Sequence, residues 1–110
     1  MSEWSNWRSM PSPETCREII APKGPGVFQI RHKETEEYVF FGISIKCRER
    51  MHSLYPIPYG VFNRDNEKRM KYVFENWISL EYRTIATENR KEAVLIQREL
   101  KSLHNHRFDA

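Results

Sequence analysis

The chain has 110 residues, of which 39% are hydrophobic, 30% charged and 13% aromatic, with a formal net charge of +3. That length suits one domain around one core, and that composition is not that of a disordered or fibrous chain. The basic excess permits attraction to phosphate without requiring it; no apolar run approaches the ~20 residues that span a bilayer, and the first ten residues lack the apolar stretch of a secretory signal.

A cytoplasmic location with no membrane partner is therefore expected. Cys16 and Cys47 stand in no CxxC pair. His104 and His106 lie two apart, a poor spacing for sharing a metal on a helix. Two reduced thiols and a polar tail are the expectation there.

Residues 1–11 are polar with two tryptophans, Trp4 and Trp7, and read as an arm that packs back on the domain. Ser12, Pro13 and Glu14 form a helix start: a hydroxyl cap, a proline in the first turn and an acid near the positive end. A short helix to about Ile20 follows, ended by Pro22, Gly24, Pro25 and Gly26. Residues 26–32 and 37–44 are rich in strand formers and joined by a short polar connection, so they form an antiparallel hairpin.

From Lys46 to Leu54 the pattern turns helical, with Cys47, Met51 and Leu54 on one face. The prolines at 56 and 58 stop it. Residues 66–77 carry Met70, Val73, Phe74 and Trp77 at amphipathic spacing. The same segment bears a basic row of Arg64, Lys68, Arg69 and Lys71. Residues 79–86 read as a third strand. Asn89, with Glu92 three residues on, opens a last helix to about Leu103, with Ala93, Ile96, Leu100 and Leu103 facing inward. The expected fold is α/β in the broad sense, α+β in detail. A three-stranded antiparallel sheet is flanked by helices in the order α-β-β-α-α-β-α.

Two strand tripeptides stand out: Gly26-Val27-Phe28 and Phe40-Phe41-Gly42, with eleven residues between them. Arg50 follows ten residues after Phe40, and Gln97 sits in a late helical KEAVLIQREL segment. In these features the chain resembles the GIY-YIG nucleases over roughly residues 24–104. With the arm and short helix placed over residues 1–23, the resemblance implies a GIY-YIG-like domain over residues 24–110. It also implies hydrolysis of phosphodiesters in DNA. In that family a tyrosine helps take a proton from water, an arginine stabilises phosphoryl charge, and a glutamate holds magnesium.

Three of the four carried-over positions depart from this pattern. Arg50 matches, and its guanidinium suits two phosphate oxygens at once. Phe28 and Phe40 stand where the family has tyrosines, keeping the ring and losing the hydroxyl. Gln97 stands where it has the metal-binding glutamate. A carboxamide oxygen is a poor substitute for a carboxylate toward magnesium. Replacement groups are conceivable. Tyr38 lies two residues before Phe40, so it points to the same face of its strand, roughly 7 Å away. His52 is two residues after Arg50.

Arg48 and Lys46 flank Arg50 as further nucleic-acid contacts, and Lys68, Arg69 and Lys71 add a basic helix face that could track a phosphate backbone. The same residues also suit plainer roles: core rings, a hydrogen-bonded inward glutamine, a snorkelling arginine and a solvated basic face. Trp4, Trp7, Tyr55 and Tyr59 either stack on bases or anchor the core. The leading expectation is a DNA-binding GIY-YIG-type domain with weak or lost magnesium-dependent cleavage. The alternatives are a competent nuclease using replacement groups and a protein-interaction module on the same scaffold.

Overall fold

The computed structural model describes residues 3–60 and 67–108. Four strands form one antiparallel sheet: β1 (Arg8–Ser9), β2 (Gly26–His32), β3 (Tyr38–Ser44) and β4 (Leu80–Ala86), in the spatial order β1-β4-β2-β3. The helices are α1 (Cys47–His52), α2 (Glu67–Asn76) and α3 (Arg90–Leu103), with 3₁₀ turns at Pro13–Glu18 and Trp77–Ser79. The fold is thus a small α+β domain. Among the described residues none forms a helix long and apolar enough to cross a membrane.

The expected three-stranded sheet is corrected to four. The arm does pack back, and it does so as an edge strand. Arg8 pairs with Tyr82 and Ser9 with Glu81. The Ser5 amide donates to the Thr84 carbonyl at 2.8 Å and the Met10 amide to the Leu80 carbonyl at 3.0 Å. Without the arm, β4 would present a row of unpaired backbone groups. The two indoles strengthen this attachment. The Arg31 guanidinium lies 3.9 Å from the Trp7 ring centre, and that of Arg83 lies 4.2 Å from Trp4 and 4.8 Å from Trp7. Trp4 and Trp7 therefore act as structural anchors sandwiched with arginines.

Alternation along the strands divides the interior into two clusters. One holds Phe28, Ile30, Phe40, Leu80 and Tyr82 with Met51, Leu54 and Tyr55 from α1 and its exit, and Val73 from α2. Met10, Cys16, Ile19 and Ala21 join this same cluster, so the first segment and the body share one core. The other cluster holds Val27, Phe41 and Ile85 beneath Ala93 and Leu100 of α3. The sheet is therefore covered by α1 and α2 on one face and α3 on the other.

The helices follow the apolar spacing with instructive exceptions. Cys47, Met51 and Leu54 are fully buried, as their common face requires. Burial pushes the Cys47 thiol up to about 12. The Asn89 side chain accepts from the Glu92 amide at 2.9 Å and caps α3. Ala93 and Leu100 are buried, but Leu103 is 62% exposed. In α2, Val73 is buried while Phe74 lies outside the core and stacks on Tyr59. The position expected to open this helix, Asn66, lies outside the described residues.

Candidate functional site

The edge strand β3 has side chains from both sheet faces around it. There a cavity of about 220 Å³ opens, lined by Phe28, Phe40, Arg50, Arg69 and Gln97 with the β3 segment Phe41–Ile43. Each wall comes from a different element. Phe28 comes from β2, Phe40 from β3, Arg50 from α1, Arg69 from α2 and Gln97 from α3. Four of these are the positions singled out by tripeptide and offset, and one concavity collects them.

The apolar wall is buried and closely packed. Phe28 and Phe40 are each 1% exposed and pack edge to face, with centroids 5.9 Å apart and planes at 88°. Phe108 packs edge-on against Phe40 from behind, at 6.2 Å. Its backbone amide is tied to the Val39 carbonyl at 2.8 Å. The Arg69 guanidinium carbon lies 5.7 Å from the Phe40 ring centre and 5.9 Å from that of Phe108. Ring faces thus hold this cation at the cavity mouth.

Arg50 is set by α1. Its amide bonds to the Lys46 carbonyl at 3.0 Å, and its own carbonyl accepts from the Ser53 hydroxyl. α1 itself is docked to the preceding loop by two amides, Cys47 to the Gly24 carbonyl at 3.0 Å and Arg48 to the Pro22 carbonyl at 2.9 Å. Gln97 reaches the cavity from the opposite sheet face, past the exposed edge of β3. Two guanidinium groups and a carboxamide therefore face one concavity whose lining includes no carboxylate among the described residues.

The other expected site residues lie elsewhere. Tyr38 does not share a face with Phe40. Ile30 pairs with Phe40 but Arg31 pairs with Tyr38, so Val39 is an inserted residue and the alternation breaks. Val39 joins Phe40 in the core, while Tyr38 turns to the other face and stacks on His104 at 4.1 Å. His52 does not join Arg50 either. Two residues along a helix is about 200° of rotation. His52 lies beside Arg48, and its Nε2 is buried with no hydrogen-bond partner among the described residues. Burial first, then the charges of Arg48 and Arg17, hold its pKa below the ordinary value of 6.5.

Arg48 is committed to the fold: its Nε donates to the Ala21 carbonyl at 3.2 Å. Lys46 is exposed and reaches Glu49 at 3.9 Å. Lys68 and Lys71 are exposed on α2, outside the cavity, and Arg64 lies outside the described residues. Among the described residues of the basic helix row, Arg69 alone lines the cavity.

Sequence reasoning missed a buried polar network on the other sheet face. Gln29 is fully buried. Its Oε1 accepts from Arg83 Nε at 2.8 Å, and its amide nitrogen lies 3.1 Å from His106 Nε2. With the oxygen taken by Arg83, the amide group donates, so His106 accepts at Nε2. The signal was available: a glutamine set between Phe28 and Ile30 in the otherwise apolar stretch of residues 27–30.

The donor set is a poor one for magnesium. Gln97 offers one neutral oxygen, the cavity lining has no carboxylate, and no three His, Cys, Asp or Glu side chains converge among the described residues. Such a set does not fit a tightly held hard divalent cation. Comparison with protein-family models, with curated proteins and with solved structures finds no match.

Proposed function

We propose that this chain is a GIY-YIG-like domain that binds the phosphate backbone of DNA at the Arg50–Arg69 cavity, with phosphodiester cleavage weak or lost. One observation carries this reading. Two guanidinium groups, two phenyl rings and a carboxamide, drawn from five elements, line a single concavity at the sheet edge.

The cavity's chemistry suits a phosphodiester. Guanidinium groups are permanently charged forks that match phosphate oxygens. Phenyl walls exclude water and strengthen the attraction. Lys68 and Lys71 lie on the same helix as Arg69 and would meet the flanking backbone.

The same lining explains why hydrolysis is weak or lost. Charge stabilisation of a phosphoryl group survives in Arg50 and Arg69. A proton acceptor and an anionic metal ligand do not, because Phe28, Phe40 and Gln97 supply neither. A competent enzyme using Tyr38 or His52 draws no support from the geometry, since neither lines the cavity.

The test has two parts. Filter retention of labelled duplex and single-stranded DNA should be strong at low salt and fall steeply as salt rises. Incubation of the same substrates with magnesium or manganese should give little or no product. A salt-independent lack of retention would remove the nucleic-acid reading. Robust turnover abolished by Arg50→Ala would remove the claim of lost catalysis.

A further inference from the structure

On the face of α3 turned away from that cavity lies a larger groove of about 500 Å³. Its floor is apolar, built from Ile85, Ile96 and the Trp4 indole. Along its wall run Glu88, Glu92, Leu95, Glu99 and Leu103. Leu95 and Leu103 are 60% and 62% exposed. None of the three carboxylates makes a salt bridge among the described residues. The one guanidinium in the groove, that of Arg83, is occupied by Gln29 and the two indoles.

We infer that this groove receives a basic amphipathic helix of a partner protein. Its apolar side chains would meet Leu95, Leu103 and the floor, and its lysines or arginines would pair with Glu88, Glu92 and Glu99.

Three features select this occupant. From Glu92 to Leu103 the wall residues recur at steps of three or four, which sets them on one face of α3. Glu92 and Glu99 are two helical turns apart, about 10 Å, which matches cations placed seven residues apart on a facing helix. The chain carries a net charge of +3, yet here it gathers carboxylates around exposed leucines. That patch repels nucleic acid and attracts an apolar cation-bearing ligand. Helix-in-groove recognition uses this pattern of apolar anchors rimmed by charge. The inference stands apart from the proposed DNA site, because the lining of that cavity shares no residue with this groove.

The experiment uses the full chain and two fluorescent synthetic helices of about 18 residues, one of leucine and lysine and one of leucine and glutamate, followed by anisotropy. The lysine helix should bind, and the glutamate helix should bind at least about tenfold more weakly. Replacing the carboxylates isosterically in E88Q/E92Q/E99Q should weaken the lysine helix by about tenfold or more without lowering the melting temperature. L95S/L103S should weaken it as well. The control E14Q/E18Q removes exposed carboxylates elsewhere and should change nothing. Equal binding of both helices, equal loss in the control, or no binding up to about 1 mM would overturn the proposal. So would self-association by sedimentation that E88Q/E92Q/E99Q abolishes, which would make a second copy the occupant.

Discussion

Phe28 lies directly opposite Gly42 in the β2–β3 ladder, and its ring fills the space a side chain at position 42 would need. A Cβ there would come within 2.6 Å of Phe28 Cε1 and Cζ. The second tripeptide thus ends in glycine for a packing reason: only a bare backbone lets the ring cross to Phe40 and form the cavity's apolar wall. Gly42→Ala forces that ring aside and should destabilise the fold by about 1–3 kcal/mol. For a domain of this size that is a drop of several degrees or more in Tm. Phe28→Leu removes the obstacle, so the alanine should cost clearly less in the double variant. Equal penalties in both backgrounds, measured by denaturant unfolding, would contradict the packing account.

Arg50 and Arg69 reach the cavity from different helices, and their roles separate by experiment. Arg50→Ala should weaken DNA retention and lower the slope of log K against log salt by about one. Arg69→Ala should do the same and also lower stability, because its guanidinium packs over Phe40 and Phe108. Arg50→Lys should keep part of the affinity, since a point charge replaces a planar fork. Lys68→Ala and Lys71→Ala should give smaller losses, being outside the cavity. Equilibrium binding across a salt series, with melting curves alongside, distinguishes these outcomes.

Gln97 supplies a carboxamide where a carboxylate would create a metal ligand. Gln97→Glu puts a negative charge into a cavity that already holds two arginines, so the folded state should tolerate it. Calorimetric titration with magnesium or manganese should show affinity above that of the parent chain. The same variant should bind DNA more weakly in the absence of metal, through repulsion of phosphate. Unchanged metal affinity would show that Gln97 does not stand at a cation position.

Much of this was legible in the sequence, for specific reasons. β2 and α3 carry regular apolar spacing and a capping pair, Asn89 and Glu92, and both elements form close to the expected bounds. The convergence of Phe28, Phe40, Arg50 and Gln97 on one cavity was the expectation that the tripeptides and offsets supported most directly. Tyr38 was misplaced because strict alternation was assumed. The inserted Val39 leaves no mark in a run of strand formers, yet it reverses the face of everything before it. Arg69 could not be told from Lys68 and Lys71, since adjacent helix positions differ by about 100° and only the packed helix fixes which one meets the cavity. The fourth strand was illegible because Arg8 and Ser9 carry no strand signal of their own. Their pairing comes from the open edge of β4 and from two indoles stacked on arginines.

His52 gives a prediction with a definite sign. Its Nε2 is buried with no hydrogen-bond partner among the described residues, and desolvation together with Arg48 and Arg17 keeps the folded-state pKa below 6.5. Above 6.5 the ring is neutral in both folded and unfolded chains, and the histidine contributes no pH dependence. As pH falls below 6.5 the unfolded chain takes up a proton that the folded chain refuses, so stability drops. The loss stops once pH falls below the folded value and both states are protonated. Urea unfolding between about pH 7.5 and pH 5 should therefore show a decline that His52→Gln reduces. A parallel decline in wild type and variant would assign the acid sensitivity to other groups.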